Sequence, residues 1–132
     1  MLIVDGGGFR GLGALHIINH LTKETNQKPW EVFDMMCGSS AGGLIAILLG
    51  RLKLDCATAI TIYTKLTESF CGKEEDEFYN KLLSKDFLET NDFDITLANV
   101  IGIYGGQADL PMILEGRGTK VTLLVFKVVL KH

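Results

Sequence analysis

The segment MMCGSSAGGLI at residues 35–45 decides the fold of this 132-residue chain. A short apolar run ends at Gly38, and an apolar run with helical spacing begins just after Gly43. The segment therefore predicts a β-strand that turns tightly into a helix.

The turn between the two runs fits the G-x-S-x-G pattern of a nucleophile elbow. It consists of Gly38, Ser39, Ser40, Ala41 and Gly42. A serine at the apex of so sharp a turn has a strained backbone, and side chains two residues away on either side would collide where strand and helix converge. The following helix directs its first N–H groups at the place where an oxyanion develops during acyl transfer. The pattern predicts Ser40 as the nucleophile and the Ala41 N–H as an oxyanion donor.

A glycine-rich loop, DGGGFRG at residues 5–11, follows the short β-rich run 2–4. The distance from this loop to Ser40 fits one βαβ unit, in which both strands end at the same edge of the sheet. Consecutive glycines can turn their N–H groups toward one point and form an anion-binding nest. The predicted oxyanion hole beside Ser40 contains Gly6, Gly7, Gly8, Arg10, Gly11 and Ala41. Arg10 adds a positive charge that suits an oxyanion or a lipid phosphate.

Two alternatives remain open for this loop. Gly6, Gly8 and Gly11 also satisfy G-x-G-x-x-G, the dinucleotide-binding fingerprint. That fingerprint calls for an acidic residue at the end of the second strand, whereas Glu24 and Glu31 fall in a helix end and a connection. The other alternative is a glycine turn that serves packing alone.

Strands that alternate with helices predict an α/β layered fold, with a mainly parallel sheet flanked by helices. Residues 2–4, the run ending at Gly38 and residues 120–130 have the character of strands. The first helix is predicted from Gly11 to about Thr22, with its apolar stripe at Leu12, Leu15, Ile18 and Leu21.

Further helices are predicted after Ser40, after Asp55 and after Asp94. The first should end near Leu49 with Gly50 as its C-terminal stop, and the two aspartates should be N-caps. The stripe of the second is Ile60, Tyr63, Leu66 and Phe70. Residues 78–83 are predicted as a helix and residues 110–118 as a loop.

Composition excludes several classes of protein. The net charge is −3 without a basic run, which argues against a nucleic-acid partner. The longest apolar run, residues 44–49, is too short to span a membrane. Cys37, Cys56 and Cys71 lack the spacing of metal ligands and are typical of buried thiols in a reducing compartment.

The two motifs together resemble the patatin-like phospholipase family of lipid acyl hydrolases. The match covers roughly residues 1–66, where D-G-G-G-x-R-G is followed by G-x-S-[AT]-G-G, with Phe33-Asp34 before the strand. The resemblance implies a serine–aspartate dyad with Ser40 as nucleophile, a lipid substrate met in transient contact with a membrane surface, and no cofactor or metal. It also implies a cytoplasmic location.

The chain departs from the family pattern in one respect. The aspartate of the dyad belongs to a later D-G-G or D-G-A motif, and no such triplet follows Ser40. We therefore expect residues 1–132 to be the N-terminal part of a patatin-like domain, with the aspartate beyond His132. The alternative is a non-catalytic, lipid-binding remnant.

Other candidate catalytic residues are weaker. Asp109 is followed by leucine, and the remaining late aspartates are typical of surface or capping positions, namely Asp86, Asp92 and Asp94. His16 and His20 lie four residues apart without the H-E-x-x-H arrangement of a zinc site, so surface or packing roles are expected. His132 has the chain order of an α/β-hydrolase histidine but lies at the terminus.

Overall fold

The computed structural model describes residues 1–71, 91–106 and 120–124, with side chains for residues 1–68 and 98–106. The strands are β1 (Leu2–Val4), β2 (Met35–Ser39) and β3 (Lys120–Leu124). The helices are α1 (Gly11–Thr25), α2 (Pro29–Val32), α3 (Ala41–Ala46), α4 (Cys56–Cys71) and α5 (Asn91–Gly105). A 3₁₀ turn, Gly8–Arg10, leads into α1, and a π-helical turn, Ile47–Arg51, continues α3.

The described strands form a parallel sheet in the order β1-β2-β3. Val4 of β1 pairs with Gly38 of β2, and Gly38 pairs with Leu123 of β3. Because the strands are parallel, the glycine loop after β1 and the turn after β2 leave the sheet at the same edge. The predicted α/β fold with a parallel sheet flanked by helices is confirmed.

The core lies around α3, which packs against all three strands and against α1. Ile45, Leu48 and Leu49 are completely buried there. On the helical side, α1 packs against α4, and Leu15 of α1 and Tyr63 of α4 are both completely buried.

The stripe of α1 differs from the prediction at its end. Leu15 and Ile18 are buried and Leu12 is partly buried, but Leu21 is 49% exposed and Thr22 is buried instead. Three residues of an α-helix turn about 300°, which is about 60° short of a full turn. A stripe with three-residue steps therefore leaves the buried face by Leu21. The Thr22 hydroxyl is satisfied by donating to the Ile18 carbonyl at 2.9 Å.

Two predicted helix boundaries are wrong. Gly50 does not stop the helix after Ser40, because it lies buried inside the π-helical turn, which is closed by a Leu52 N–H to Ile47 carbonyl bond of 2.9 Å. Asp94 is not an N-cap, because α5 begins three residues earlier, at Asn91. The predicted helix 78–83 and loop 110–118 lie outside the described residues, as does the part of the last strand after Leu124.

Asp55 caps α4 as predicted. Its Oδ1 accepts a hydrogen bond from the Thr58 N–H at 2.9 Å, and its Oδ2 accepts one from the Thr58 hydroxyl at 3.1 Å. The backbone hydrogen bond from Thr58 is the main cause that lowers the pKa of Asp55, with a smaller contribution from the charge of Lys28. The cap therefore stabilises the folded chain at neutral pH and is lost when the carboxylate is protonated.

We expect Asp55→Ala to lower the free energy of unfolding by about 1 kcal/mol at pH 7. Because the folded-state pKa lies below the unfolded value, the wild-type advantage should be present above about pH 4 and should disappear as pH falls through the folded pKa. Urea unfolding between pH 7 and pH 3 measures this difference. Asp55→Asn is the matched control, since asparagine caps but does not titrate; a gap between wild type and Asp55→Ala that stayed constant at low pH would contradict the prediction.

Candidate functional site

Ser40 lies at the apex of the turn between β2 and α3. Its backbone has φ 49° and ψ −124°, in the left-handed region that non-glycine residues rarely occupy, and the residue is exposed. The Gly43 N–H, which donates to the Ser40 carbonyl at 2.9 Å, is the first amide bonded inside α3. The amides of Ala41 and Gly42 therefore precede the hydrogen bonds of the helix.

Glycines 38 and 42 allow this turn because they let backbone approach backbone. A Cβ built on Gly38 would overlap the Gly42 carbonyl group and would lie 2.5 Å from the Gly43 nitrogen. A Cβ on Gly42 would overlap the Val4 carbonyl oxygen and lie 3.0 Å from the Asp5 carbonyl oxygen. The two glycines therefore fix both the angle between β2 and α3 and the contact of α3 with the end of β1.

The glycine loop lies directly against the turn that carries Ser40. A Cβ built on Gly6 would be 3.1 Å from the Ser40 Cβ and 3.2 Å from the Ser39 carbonyl oxygen. The structure thus brings together the two motifs that are 35 residues apart in the sequence, at the shared carboxyl edge of the parallel strands.

The amides of the predicted oxyanion loop are not equivalent. The Gly6 N–H donates to the Asp5 carboxylate at 2.8 Å and to the Ser39 hydroxyl at 3.0 Å. The Gly11 N–H closes the 3₁₀ turn by donating to the Gly8 carbonyl. Gly7 and Gly8 stand before and at the start of this turn, where the N–H groups have no acceptor within the turn itself. Among the described residues, the amides of Gly7 and Gly8 are thus not engaged in the hydrogen bonds of the turn.

Gly11 has a packing role in this arrangement. It is buried, and a Cβ there would overlap the Tyr63 hydroxyl and lie 2.6 Å from the Tyr63 Cζ. Tyr63 is completely buried, and its hydroxyl donates to the Gly8 carbonyl at 2.6 Å. The hydrogen bond from Tyr63 therefore attaches the glycine loop to α4.

The sequence does not predict the hydrogen bonds of three residues at this site, Asp5, Ser39 and Tyr63. The sequence places Asp5 and Ser39 in the motifs but gives them no partner, and Tyr63 was expected only as an apolar stripe residue. Two signals could have found them: Asp5 and Ser39 each directly follow a residue of the Val4–Gly38 pair, and a buried tyrosine hydroxyl requires a hydrogen-bond partner.

The remaining predicted residues lie apart from this group or outside the description. His16 and His20 are exposed on α1, and Arg10 is exposed beside the loop. Asp86, Asp109 and His132 fall outside the described residues, and the side chains of Asp92 and Asp94 are not described. In the described ranges, no group of three or more metal-ligating side chains is found.

The structure removes support from the dinucleotide alternative. The strand β2 ends in Ser39 rather than in an acidic residue. Glu24 is exposed near the end of α1, and the Glu31 carboxylate accepts a bond from the Lys28 N–H at 2.7 Å within the start of α2. The acid that would hold a ribose is therefore not at the strand end where that fold requires it.

The family of the chain follows from comparison with known proteins. The family model described as patatin-like phospholipase matches residues 2–108. The chain belongs to the patatin-like phospholipase family. Members of this family with similar sequences include phospholipase A I of Arabidopsis thaliana, which is 36% identical over 66 residues, or 50% of this chain and 5% of the relative.

Two further relatives give the same result. Calcium-independent phospholipase A2-gamma of Homo sapiens is 35% identical over 66 residues, covering 50% of this chain and 8% of the relative. Patatin-like phospholipase 1 of Plasmodium falciparum is 40% identical over 58 residues, covering 39% of this chain and 8% of the relative. The matched segments thus span less than a tenth of the length of these relatives. No solved structure gives a significant match.

Gly42→Ala tests the close approach of α3 to β1. We expect it to lower the free energy of unfolding by about 2 kcal/mol or more, because the new methyl group overlaps the Val4 carbonyl. Gly13→Ala is the matched control: Gly13 is a helical glycine with open space around its Cβ position, so alanine should stabilise α1 by up to about 1 kcal/mol. Urea unfolding of both variants measures the difference, and changes of the same sign would contradict it.

Proposed function

We propose that this chain carries the nucleophile and oxyanion loop of a serine lipid acyl hydrolase, which cleaves ester bonds of phospholipids or related glycerolipids. The observation that carries the proposal is the placement of Ser40. It is exposed at a positive φ between a strand and a helix, in contact with a glycine-rich loop, in a chain of the patatin-like phospholipase family.

In the proposed reaction, the Ser40 Oγ attacks the acyl carbonyl carbon while a general base takes the hydroxyl proton. The carbonyl oxygen becomes an oxyanion, which the amides of Gly7, Gly8 and Ala41 stabilise by hydrogen bonding. The tetrahedral intermediate expels the alcohol, which receives the proton from the base, and leaves an acyl ester on Ser40. Water then attacks this ester and releases the fatty acid. The mechanism uses no metal or cofactor.

The other loop residues have supporting roles in this proposal. Gly6 and Gly11 let the loop lie close to the turn and to α4, because neither has a side chain. Their amides are already bonded within the chain. Arg10 is exposed at the end of the loop and supplies a positive charge next to the developing oxyanion or a lipid phosphate.

A groove beside the glycine loop supports a lipid substrate. Its volume is about 280 Å³, and it runs between β1 and α1 with Gly6, Gly7 and Arg10 at the loop. Ile3 and Ile17, which line it, are 64% and 63% exposed. The groove is open and its loop end carries both Asp5 and Arg10, so its exposed apolar side chains are the part that can contact an acyl chain. Among the described residues, no helix is long and apolar enough to cross a membrane.

The general base is the part of the proposed dyad that no sequence motif in this chain identifies. The family resemblance implies an aspartate in a later D-G-G or D-G-A motif, and no such triplet follows Ser40. The missing triplet also favours the second candidate function, a lipid-binding remnant that does not hydrolyse its ligand.

Active-site labelling with a fluorophosphonate decides between the two functions. If a base for Ser40 lies within residues 1–132, labelling of the wild-type chain should be abolished by Ser40→Ala and unchanged by Ser84→Ala, a serine outside both motifs. Intact-mass spectrometry gives the stoichiometry and peptide mapping gives the modified residue. An activated serine requires a base, so Ser40-dependent labelling of this chain would show that a base lies within residues 1–132.

Two results of the labelling experiment would count against the proposal. A chain that melts cooperatively but is not labelled at Ser40 would reject hydrolysis by these residues alone. Labelling that persists in Ser40→Ala would reject Ser40 as the nucleophile.

A further inference from the structure

We propose that Asp5 and Ser39 are positioning residues that hold the glycine loop in line with Ser40. The inference rests on the proposed function, because it assigns a role in the same site. It starts from three hydrogen bonds that close a ring between the end of β1 and the end of β2.

The ring has three members. The Ser39 hydroxyl donates to the Asp5 Oδ1 at 3.0 Å, and the same oxygen accepts the Gly6 N–H at 2.8 Å. The Gly6 N–H also donates to the Ser39 Oγ at 3.0 Å. Each pair of members is therefore in direct contact, and Ser39 is joined to residues more than 30 positions earlier in the chain.

The ring lies where the backbone pairing between β1 and β2 ends. The last backbone pair between β1 and β2 is Val4 with Gly38, so Asp5 and Ser39 occupy the next rung of the ladder. There the two chains separate, one into the glycine loop and the other into the turn at Ser40. Side-chain hydrogen bonds take over from the ladder at the point where backbone pairing ends.

The ring fixes the part of the loop that is otherwise free. Glycines have little intrinsic conformational preference, whereas oxyanion donors act only when they are held close to the productive geometry. Gly6 is held by the ring, and the Gly8 carbonyl is held by the Tyr63 hydroxyl at 2.6 Å. The two candidate donor amides, those of Gly7 and Gly8, lie between these two points of attachment.

The exposure of the ring indicates that it positions the loop rather than stabilises the core. Asp5 and Gly6 are exposed, and Ser39 is partly buried, so the ring lies at the surface of the sheet edge. Exposed hydrogen bonds add little to global stability because water competes for the same groups. The ring therefore affects the reactivity of Ser40 more than the folding of the chain.

Ser39 is also distinguished from Ser40 as a nucleophile. The Ser39 oxygen donates one hydrogen bond and accepts another within the ring. Its neighbour stands at the apex with positive φ. In this proposal Ser39 holds the loop, and Ser40 is the nucleophile.

Ser39→Ala, Ser39→Thr and Thr61→Ala test the proposal in the 132-residue chain. Ser39→Thr retains the hydroxyl, and Thr61→Ala is the control for loss of an exposed hydroxyl, since the Thr61 side chain bonds only to the Ala57 carbonyl of its own helix. The first measurement is hydrogen exchange of the Gly6 amide by NMR. We expect exchange about fivefold faster in Ser39→Ala, because one hydrogen bond is lost, and wild-type rates in the other two variants.

The second measurement is the kinetics of fluorophosphonate labelling at Ser40. We expect the limiting rate constant to fall about tenfold in Ser39→Ala, with the half-saturating probe concentration nearly unchanged, since the ring acts on the developing oxyanion. Ser39→Thr should restore the rate. Unchanged Gly6 exchange and labelling in Ser39→Ala, or an equal loss in Ser39→Thr, would overturn the proposal.

A second pair of variants tests the proposal if Ser39→Ala does not fold. Asp5→Ala removes the shared acceptor, whereas Asp5→Asn retains the Oδ1 atom, so the same contrast in Gly6 exchange is expected between them. If the wild-type chain is folded but not labelled at Ser40, hydrolysis by these residues alone is rejected, and Gly6 exchange alone decides whether the ring holds the loop.

Discussion

The contact between the Gly42 backbone and the Val4 carbonyl is the constraint on which this structure depends. It lets α3 leave the end of β2 at a sharp angle and still lie across the end of β1. Any side chain at position 42 would push the helix off the strand. The contact thereby places the start of α3 at the edge where both strands end.

The arrangement of the glycine loop follows from this contact. With α3 packed against β1, the loop after β1 passes close to the turn at Gly6, where a Cβ would lie 3.1 Å from the Ser40 Cβ. The loop is then attached on two sides, to β2 through Asp5 and Ser39 and to α4 through Tyr63. A segment rich in glycine is thereby held in one conformation by its neighbours rather than by its own preferences.

Much of this could be predicted from the sequence because the evidence is local. The glycines at 38 and 42 indicate a tight turn, alternating element types indicate a parallel sheet, and the two motifs indicate the family; the fold and the family are confirmed. The roles of Ser40 and of the oxyanion loop stay predictions. The error at Leu21 comes from extending a three-residue step beyond its range, which a strict helical period would have avoided.

Other features depend on tertiary contacts that no short pattern contains. Gly50 has the residue type of a helix stop, yet its burial in the core lets the chain continue through a π-helical turn. At the start of α5, several residue types that favour caps occur close together, so the sequence does not choose between a helix that begins at Asn91 and one that begins after Asp94. The ring at Asp5 and the Tyr63 bond to Gly8 join distant segments, and they become visible only when the strand register is known.

The backbone at Ser40 has a consequence for how this position evolves. A residue with a side chain at φ 49° loses on the order of 1–3 kcal/mol relative to a relaxed conformation, and glycine would avoid most of that loss. Selection for folding alone therefore favours glycine at position 40, and serine there works against the stability of its own turn. A descendant that gave up the hydroxyl would be expected to drift toward glycine and to become more stable as it did so.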